Sequence, residues 1–350
     1  MLLTRRMLNR TLLLRQHLLA RSTMAPLAMA EHLLGLQAQD PLPPYLSLAA
    51  RIEGFDPAVV STALAERTAI RVLLMRGTIH LVTPADAHGL RGFVQPFLDK
   101  VSRTNQLSRP AHAVPRDDFD AAVNELLAHG PVAVAVLGEH LAERFPVASA
   151  SALANRARET FPLVQVPPRG LWRQGGGVVY EHLDTWAGPG TPYDGREVAR
   201  RYLTAYGPAL PADLTTWSGV TGARALLESV GEDLVRHTDE DGRVLYDLAG
   251  LPMAAGDEEA AVRLLGKYDN LWLSHAARDR VTPDPDKRRR WMGVNGGVGN
   301  TVFVGGELEG LWRTTDAGHV DVELFRALSL RERADLEDEV GRVESLLSRP

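Results

Sequence analysis

An internal repeat constrains the fold of this chain more than any other feature of its sequence. A Gly-Pro pair follows an amphipathic helical pattern at Gly130-Pro131 and again at Gly207-Pro208, 77 residues later. The apolar residues before each pair recur at the period of an α-helix. Glycine ends a helix in a left-handed cap, and proline starts the element that follows. The pattern therefore predicts two copies of one helical unit.

Each copy continues with further helices and then with two short apolar strands. The strands cover residues 163–166 and 178–182 in the first copy, and residues 234–237 and 244–248 in the second. Three helices followed by a β-hairpin are the order of a winged-helix domain, whose second and third helices form a helix-turn-helix. The sequence thus predicts winged helices over residues 111–190 and 191–255.

The same order occurs once more at the N-terminus, which predicts a third winged helix over residues 1–110. Helical patterns at residues 4–20, 24–36 and 45–52 precede two apolar strands at 70–75 and 78–83, separated by the tight turn Arg76-Gly77.

The last part of the chain, residues 256–350, predicts a small β module closed by a helix. Short strands are expected at 271–275, 291–294, 301–304 and 308–313, with turns at Asn295-Gly296-Gly297 and Gly305-Gly306 and a charged helix over 322–347. The predicted fold class is therefore α+β and dominated by helices, with three tandem winged-helix domains and a small C-terminal β module.

Composition and simple motifs exclude several classes of protein. With 45% hydrophobic and 24% charged residues, the chain is typical of a globular protein. It contains no Cys, no His-Glu-x-x-His pair and no Gly-Lys-Ser/Thr phosphate loop, so we expect neither a metal ion nor a cofactor. No apolar run reaches 18 residues, and the N-terminal helix lacks a cleavage site, so we expect a cytoplasmic protein with no membrane partner.

The charge is distributed unevenly along the chain. The formal net charge is −5, yet residues 1–110 carry 13 Lys and Arg against 7 Asp and Glu, and residues 263–313 carry 9 against 6. The second region includes the run Lys287-Arg288-Arg289-Arg290. Because the field at a protein face depends on the charges of that face, two basic regions are compatible with a nucleic-acid partner despite the negative total.

The segment Gln37-Ala38-Gln39-Asp40-Pro41 concentrates polar groups where the predicted second helix ends. Taken alone, such residues are typical of solvated side chains at a helix C-terminus. Residues at i and i+2 do not share a helical face. Gln37 and Gln39 could therefore reach one substrate only if the helix ends near them, which Pro41 makes possible.

Several separated segments resemble one known family, the AlkZ-like winged-helix DNA glycosylases, which includes the azinomycin-resistance crosslink glycosylase and YcaQ-like relatives. The resemblance runs from about residue 3 to residue 313. Four segments carry the resemblance. Leu36-Gln37-Ala38-Gln39 is similar to the catalytic Gln-x-Gln of the family, and residues 74–81 are similar to its first wing. Residues 268–281 are similar to its C-terminal signature, and residues 301–313 are similar to its strand pair that ends in Gly-x-Trp-Arg, here Gly310-Leu311-Trp312-Arg313.

The resemblance implies a C-shaped monomer whose basic channel binds duplex DNA that contains alkylated purines. It implies that Gln37 and Gln39 are catalytic, with Asp40 and His80 as possible auxiliary groups. The residues expected to contact DNA are Arg76 in the first wing and, around the C-terminal hairpin, Lys287, Arg288, Arg289, Arg290, Asn295 and Arg313. The implied biological role is repair of alkylation damage or self-resistance to a genotoxic natural product.

The chemistry of glutamine limits the reactions that such a site can catalyse. Ordinary glycosidases use one carboxylic acid and one carboxylate, whereas an amide only donates and accepts hydrogen bonds. N7-alkylguanine and N3-alkyladenine are cationic and leave without protonation, so positioning of water and of the amide dipole would suffice. We therefore expect a monofunctional hydrolase; no Lys lies near the motif in sequence to form a Schiff base, although a distant residue could fold against it.

A non-enzymatic winged-helix transcription regulator is the alternative, because tandem winged helices alone do not distinguish the two functions. A regulator would bind one DNA sequence far more tightly than random DNA, whereas a glycosylase would show little sequence preference and a strong dependence on salt.

Overall fold

Helices and short strands alternate through the first 110 residues. The computed structural model of the chain describes residues 1–292, 299–315 and 318–350. Its first region contains strand β1 (Leu2–Leu3), helices α1 (Arg5–Arg15) and α2 (Pro26–His32), strand β2 (Leu36–Gln37), helices α3 (Pro43–Arg51) and α4 (Pro57–Ala65), strands β3 (Ile70–Leu73) and β4 (Ile79–Val82), and helix α5 (Pro84–Thr104).

Two helices of this region are shorter than the sequence predicts. The helix expected over residues 4–20 ends at Arg15, and the helix expected over residues 24–36 ends at His32. His17, Leu34 and Gly35 follow with φ angles of 55°, 52° and 95°, which a right-handed helix cannot accommodate. The chain after Gly35 is extended and forms β2. The expectation that the Gln motif ends a helix is therefore wrong, because the motif begins on a strand.

The second region has its own apolar core and the strands expected of it. After a short 3₁₀ turn at Arg109–Ala113 it contains α6 (Arg116–Leu127), β5 (Val132–Ala133), α7 (Val134–Arg144), α8 (Ala150–Thr160), β6 (Leu163–Gln165), β7 (Val179–His182) and α9 (Leu183–Ala187). The Ser149 hydroxyl caps α8 by accepting a hydrogen bond from the amide of Ala152 at 3.2 Å. Phe119, Leu153 and Tyr180 are among the buried residues of its core.

The third region repeats the order of helices followed by a hairpin. It contains α10 (Gly195–Tyr206), α11 (Pro211–Ser218), α12 (Ala223–Glu228), β8 (Leu234–Asp239) and β9 (Val244–Leu248), and β1 adds to β8 as a parallel neighbour. Gly130 has a positive φ of 110°, but α6 ends earlier with Ala128 as its C-cap, so Gly130 is not the capping residue that was expected. Gly207 has a φ of −67°, so the expectation of a left-handed cap there is wrong.

The hairpins of the first two regions join into one sheet. Its six strands run in the order β2-β4-β3-β6-β7-β5, and the junction is the pairing of Val72 on β3 with Val164 on β6. Gln37, at one end of this sheet, therefore lies in a framework shared with α7 and α8, the two helices that precede β6.

The C-terminal region differs most from its prediction. It contains β10 (Arg263–Leu265), α13 (Asn270–Leu273), α14 (Pro285–Met292), β11 (Asn300–Val304), β12 (Glu307–Thr314), β13 (Val320–Leu324) and α15 (Leu330–Ser348). The strands expected near 301–304 and 308–313 are present as β11 and β12. The strand expected at 271–275 is instead largely helical, because Asp269 caps α13 through the amide of Leu271 at 2.9 Å.

Two further C-terminal predictions need correction. A strand was expected at 291–294, but residues 291 and 292 are the end of α14. The other two residues of that strand and the turn Asn295-Gly296-Gly297 lie outside the described residues. The closing helix, expected over 322–347, begins only at Leu330, because residues 320–324 pair with β12 as strand β13.

Buried ion pairs tie distant parts of the chain together. Arg51 on α3 binds Asp269 through two contacts of 2.7 Å, and both side chains are fully buried. Arg15 on α1 binds Asp247 on β9 at 2.7 Å, also buried. Because removal of one partner leaves an uncompensated buried charge, such pairs fix the relative position of the elements they join.

The described part of the chain contains neither a membrane-spanning helix nor a cluster of metal ligands. No helix there has the length and apolar character required to cross a membrane. Nor do the described residues bring three or more His, Cys, Asp or Glu side chains together in a group able to hold a metal ion.

Candidate active site

Gln37 ends strand β2 beside the hairpin of β3 and β4, and Gln39 lies two residues further on, in a bend of the chain. Gln37 is opposite His80 in the β2–β4 register, and the amide of Ala38 donates to the carbonyl of Ile79 at 2.6 Å. Both glutamine side chains nevertheless reach the same hairpin, Gln37 at Arg76 and Gln39 at Ile79.

Each glutamine side chain is fixed through its amide oxygen. The Oε1 atom of Gln37, which is only 6% exposed, accepts a hydrogen bond from Arg76 Nη2 at 2.8 Å. The Oε1 atom of Gln39, an exposed residue, accepts one from the amide of Ile79 at 3.2 Å. A carbonyl oxygen has two lone pairs, so each amide can accept one more hydrogen bond from a water molecule or a substrate.

Arg76 organises the environment of Gln37. Arg76 and Gly77 have φ angles of 57° and 68° and lie in a short 3₁₀ turn, Met75–Gly77. The connection between β3 and β4 therefore covers residues 74–78 and is longer than the two-residue turn predicted here. Besides Gln37, the guanidinium donates to the carbonyl of Trp217 on α11 at 2.5 Å. Burial and, to a smaller extent, the charge of Arg278 lower the pKa of Arg76 to about 10, which still leaves Arg76 charged at neutral pH.

His80 is neutral at physiological pH. Its Nδ1 atom lies 2.9 Å from the carbonyl of Thr78 and must donate to it, so Nε2, 3.4 Å from Arg76 Nη2, is the acceptor. Burial and, second, the charge of Arg76 lower the pKa of His80 to about 3. A ring held in this state supports Arg76 and does not exchange protons with a substrate near pH 7.

Asp40 is paired with a lysine that is distant in sequence. Its Oδ2 atom lies 3.7 Å from Nζ of Lys267, and each side chain is about half exposed, at 49% and 47%. No lysine lies near the Gln motif in sequence, but Lys267 lies next to the motif in the folded chain. Lys267 follows β10 and immediately precedes the Tyr268-Asp269-Asn270 segment, whose buried Asp269 is held by Arg51.

Most of the predicted C-terminal DNA contacts are occupied by acidic partners. Lys287 Nζ lies 2.6 Å from Glu309, and Arg290 Nη2 lies 2.5 Å from Glu323 while its guanidinium stacks on Phe325. Arg289 pairs with Asp286 one turn earlier, and the exposed Arg313 binds Asp321 at 2.8 Å. Asn295 lies outside the described residues.

Arg288 has no ion-pair partner among the described residues, and it interacts with an arginine that sequence reasoning missed. The pKa of Arg278 is lowered by burial and then by the charge of Arg288, while Arg278 in turn lowers the pKa of Arg76. Arg76, Arg278 and Arg288 are thus linked by the effects of their charges on one another, and we call these three residues the arginine row. Arg76 binds Gln37, and Arg288 belongs to α14. Arg278 belongs to the segment that resembles the C-terminal signature, but an isolated arginine gave no signal of its own.

A cavity of about 440 Å³ opens beside Gln39. Its wall comes from α7, α8, β6, β7 and the loop after β6, and includes Glu139, Asn155, Arg158, Gln165, Arg169 and Tyr180. None of these residues was singled out from the sequence. The signal that could have found one of them is a glutamine, Gln165, within the otherwise apolar strand residues 163–166.

Comparisons with known proteins identify the class to which this fold and site belong. The family model of the AlkZ-like DNA glycosylases matches residues 30–346, a range that contains the Gln motif, the arginine row and the cavity. The chain therefore belongs to the AlkZ-like DNA glycosylase family. This membership does not favour the alternative of a transcription regulator.

The sequence and the structure comparisons both find a relative in Streptomyces sahachiroi. The interstrand DNA cross-link repair glycosylase of that organism is 24% identical over 327 residues, which are 86% of this chain and 85% of that protein. The solved structure of Streptomyces sahachiroi DNA glycosylase AlkZ aligns with a TM-score of 0.81 at 21% identity and covers 100% of this chain and 99% of that one. At this identity the structural match shows a shared fold.

Proposed function

We propose that this protein is a monofunctional DNA glycosylase that hydrolyses the N-glycosidic bond of cationic alkylated purines in duplex DNA. Its substrates are N7-alkylguanines, including bulky adducts and interstrand crosslinks, and its role is DNA repair or self-resistance to a genotoxic natural product. The observation that carries the proposal is the pair of glutamine amides held against the hairpin of β3 and β4, in a member of the AlkZ-like family.

The geometry suits a reaction whose leaving group needs no acid. N7 alkylation gives the purine a positive charge, so cleavage of the glycosidic bond releases a neutral base and leaves a developing cation on the sugar. The second lone pair of each glutamine oxygen can hold the attacking water against that cation. Because Arg76 and Ile79 already fix both amides, these dipoles need little reorganisation during the reaction.

In this proposal, the arginine row and the predicted winged helices bind the DNA duplex. We propose that three winged helices surround a concave channel and that Arg278 and Arg288 contact phosphates there. Phosphate contacts position a duplex without reading its sequence. Arg76, whose guanidinium is engaged by Gln37 and Trp217, acts mainly by holding Gln37.

Lys267 does not convert the enzyme into a lyase. A Schiff base requires a neutral amine at the anomeric carbon of the abasic sugar. The Nζ atom of Lys267 lies 3.7 Å from Oδ2 of Asp40, so this ion pair must break before the amine can attack the sugar. We therefore expect no covalent complex when borohydride is added during turnover, and a trapped complex that Lys267→Gln abolishes would contradict the monofunctional assignment.

Base release from a duplex with a single N7-methylguanine tests the proposed function. The wild type, Gln37→Ala and Gln39→Ala are compared under single-turnover conditions, with Gln106→Ala as the matched control because Gln106 is an exposed glutamine in a turn after α5. We expect release by the wild type and the control, and strong loss in both motif variants. Equal release by all four proteins would overturn the catalytic assignment of the motif.

A binding competition separates the proposed enzyme from a regulator. The wild type is bound to a labelled duplex and challenged with random duplex at several salt concentrations. We expect random DNA to compete well and the affinity to fall steeply with salt. A preference for one sequence by a factor of about 10³ or more would instead indicate a regulator.

A further inference from the structure

Arg71 is a charged residue in the middle of a buried strand. It belongs to β3, whose four residues are all buried, and it is only 2% exposed itself. Burial and, second, the charge of Arg169 lower the pKa of Arg71 to about 10, so its guanidinium stays protonated at neutral pH. Among the described residues no carboxylate pairs with it, and its Nε atom has no hydrogen-bond partner there. The charge of Arg71 is therefore buried without an acidic partner.

The guanidinium group of Arg71 joins the Gln motif to the loop after β6. Its Nη2 atom donates to the carbonyl of Ala38 at 2.7 Å, and its Nη1 atom donates to the carbonyl of Arg169 at 2.9 Å. Ala38 separates the two glutamines, and Arg169 belongs to the wall of the cavity beside Gln39. One planar side chain thus links the first region of the chain to the second beside the proposed reaction centre.

The carbonyl of Ala38 is the group through which Arg71 controls Gln39. This carbonyl and the N–H group of Gln39 belong to one peptide unit, and a peptide unit is planar. A hydrogen bond to the carbonyl therefore fixes the plane from which Gln39 continues. Such support is needed because the pairing of β2 with β4 ends at Gln37, and Gln39 lies beyond it in a bend.

The loop after β6 is shaped to accommodate Arg71. Gly170 has a φ of 102°, and a Cβ atom at this position would lie 2.5 Å from Cδ and 2.8 Å from Nη1 of Arg71. The hydroxyl of Tyr45 donates to the carbonyl of Gly170 at 2.7 Å and holds the loop in this place. A residue with a larger side chain at position 170 would displace the guanidinium group from its two carbonyls.

The charge of Arg71 indicates more than a structural role. Burial of a charge without an acidic partner costs more than burial of a neutral hydrogen-bond donor. A guanidinium group, however, donates shorter and stronger hydrogen bonds in a fixed geometry. That geometry is useful where a small displacement is harmful, and a shift of about 1 Å in a reacting group can cost about a hundredfold in rate.

We infer that Arg71 is a positioning residue for Gln39: it holds the peptide between Ala38 and Gln39 so that the Gln39 amide keeps its place against the hairpin of β3 and β4. The inference rests on the proposed function and deepens it. Because Arg71 is buried, it does not touch the substrate, and it affects the rate of base release through the orientation of Gln39.

Arg71→Met and Arg156→Met form a matched pair of variants. Arg156 on α8 is also 2% exposed and donates to two main-chain carbonyls, those of Ala111 and Val114, at 2.8 Å each. Its Nε atom likewise has no partner in the part of the chain that the structure describes. Each replacement removes a buried cation and two hydrogen bonds, but the bonds of Arg156 lie outside the Gln motif.

Single-turnover base release from an N7-methylguanine duplex is measured for the wild type and both variants at rising protein concentration. We expect Arg71→Met to lower the rate at saturation by about tenfold to a hundredfold, the range for one hydrogen bond from a charged donor. The protein concentration at half saturation should stay unchanged, because Arg71 does not contact DNA. Arg156→Met should match the wild type in both quantities, whereas a merely structural role of Arg71 would make the two variants alike.

A double-mutant cycle with Gln39→Ala tests the route of the effect. If Arg71 acts through Gln39, Arg71→Met should change the rate by less than about twofold in the Gln39→Ala background. Thermal unfolding shows whether Arg71→Met folds. If it does not, Gly170→Ala takes its place with the same expectations, because the added Cβ atom displaces the guanidinium group and leaves the arginine in the chain.

The outcomes separate this inference from the proposed function. A wild type that releases no 7-methylguanine contradicts the proposed function itself. If the wild type releases the base, equal rates at saturation for Arg71→Met and Arg156→Met overturn the inference and leave the proposed function standing. An equal loss of rate with and without Gln39 has the same consequence, since it would show that Arg71 does not act through that glutamine.

Discussion

Replacement of Arg76 by methionine removes the guanidinium group that fixes Gln37 and keeps an unbranched side chain of similar length. The change leaves the Oε1 atom of Gln37 without its donor, and it also leaves the Trp217 carbonyl and His80 Nε2 without theirs. Gln39 keeps its bond to the amide of Ile79, because that donor is main chain. The variant should therefore release one glutamine of the pair and not the other.

The structure sets the size of two effects. A hydrogen bond with one charged partner contributes roughly 1.5–3 kcal/mol, and about 1.4 kcal/mol corresponds to a tenfold change in rate. Loss of the fixed Gln37 amide should thus slow single-turnover base release by about tenfold to a hundredfold. The two acceptors left unpaired should lower the free energy of unfolding by about 1–3 kcal/mol each where they stay dry.

A double-mutant cycle provides the assay. Base release from an N7-methylguanine duplex is measured at saturating protein for the wild type, Arg76→Met, Gln37→Ala and the double variant, and affinity for undamaged duplex is measured in parallel. If Arg76 acts through Gln37, Arg76→Met should cost little in the Gln37→Ala background.

Two results would refute this reasoning. An equal loss of rate in both backgrounds would show that Arg76 acts independently of Gln37. An unchanged rate at saturation, combined with weaker binding of undamaged DNA, would show that Arg76 is a DNA contact, as its position in the first wing also suggests.

Three further predictions follow from the charges. Replacement of Arg288, Arg289 and Arg290 by alanine should lower the slope of log affinity against log salt by about one unit and not three. The reason is that Arg289 and Arg290 already pair with Asp286 and Glu323. A fall of three units in a salt titration would show that these two arginines leave their acidic partners and bind phosphates. Arg51→Ala should lower the free energy of unfolding by about 3–5 kcal/mol in urea, since it leaves Asp269 buried and unpaired, whereas Arg313→Ala, which breaks an exposed pair, should cost no more than about 1 kcal/mol. Burial lowers the pKa of His275 to about 3, below the roughly 6.5 of an unfolded histidine, so the free energy of unfolding decreases as pH falls from about 6.5 towards 3. His275→Asn should reduce the slope of the free energy of unfolding against pH by about 1.4 kcal/mol per pH unit in this range. An unchanged slope would contradict the low pKa in the folded state.

The sequence predicted a secondary-structure element correctly where its apolar pattern and its turn residues indicated the same structure. The hairpins at β3 and β4, β6 and β7, and β8 and β9 follow from apolar runs bounded by turn residues, and the structure contains all three. The connection around Arg76 and Gly77 was predicted as a two-residue turn, whereas the structure extends it to residues 74–78, because Met75–Gly77 form a 3₁₀ turn between the two strands. The Gln motif could be singled out through its family resemblance, although its role rests on the proposed function.

Short apolar segments were the main source of error. Residues 271–275 were expected to form a strand, yet α13 is a single helical turn that Asp269 caps and that packs Trp272 against Trp291 at 3.8 Å between ring centroids. A run of this length does not distinguish a strand from a buried helix by periodicity. The choice is made by contacts with residues far along the chain.

The sequence by itself determined which elements the chain contains over most of its length and which residues carry the candidate chemistry. Only the tertiary structure decided that Gln37 lies on a strand, that Lys267 faces Asp40 and that four of the predicted C-terminal basic groups have acidic partners. Local periodicity reports the burial of a segment, whereas the pairing of β2 with β4 and the pairing of charges depend on groups tens to hundreds of residues apart. The arginine row and the cavity beside Gln39 exist only because the folded chain brings such groups together.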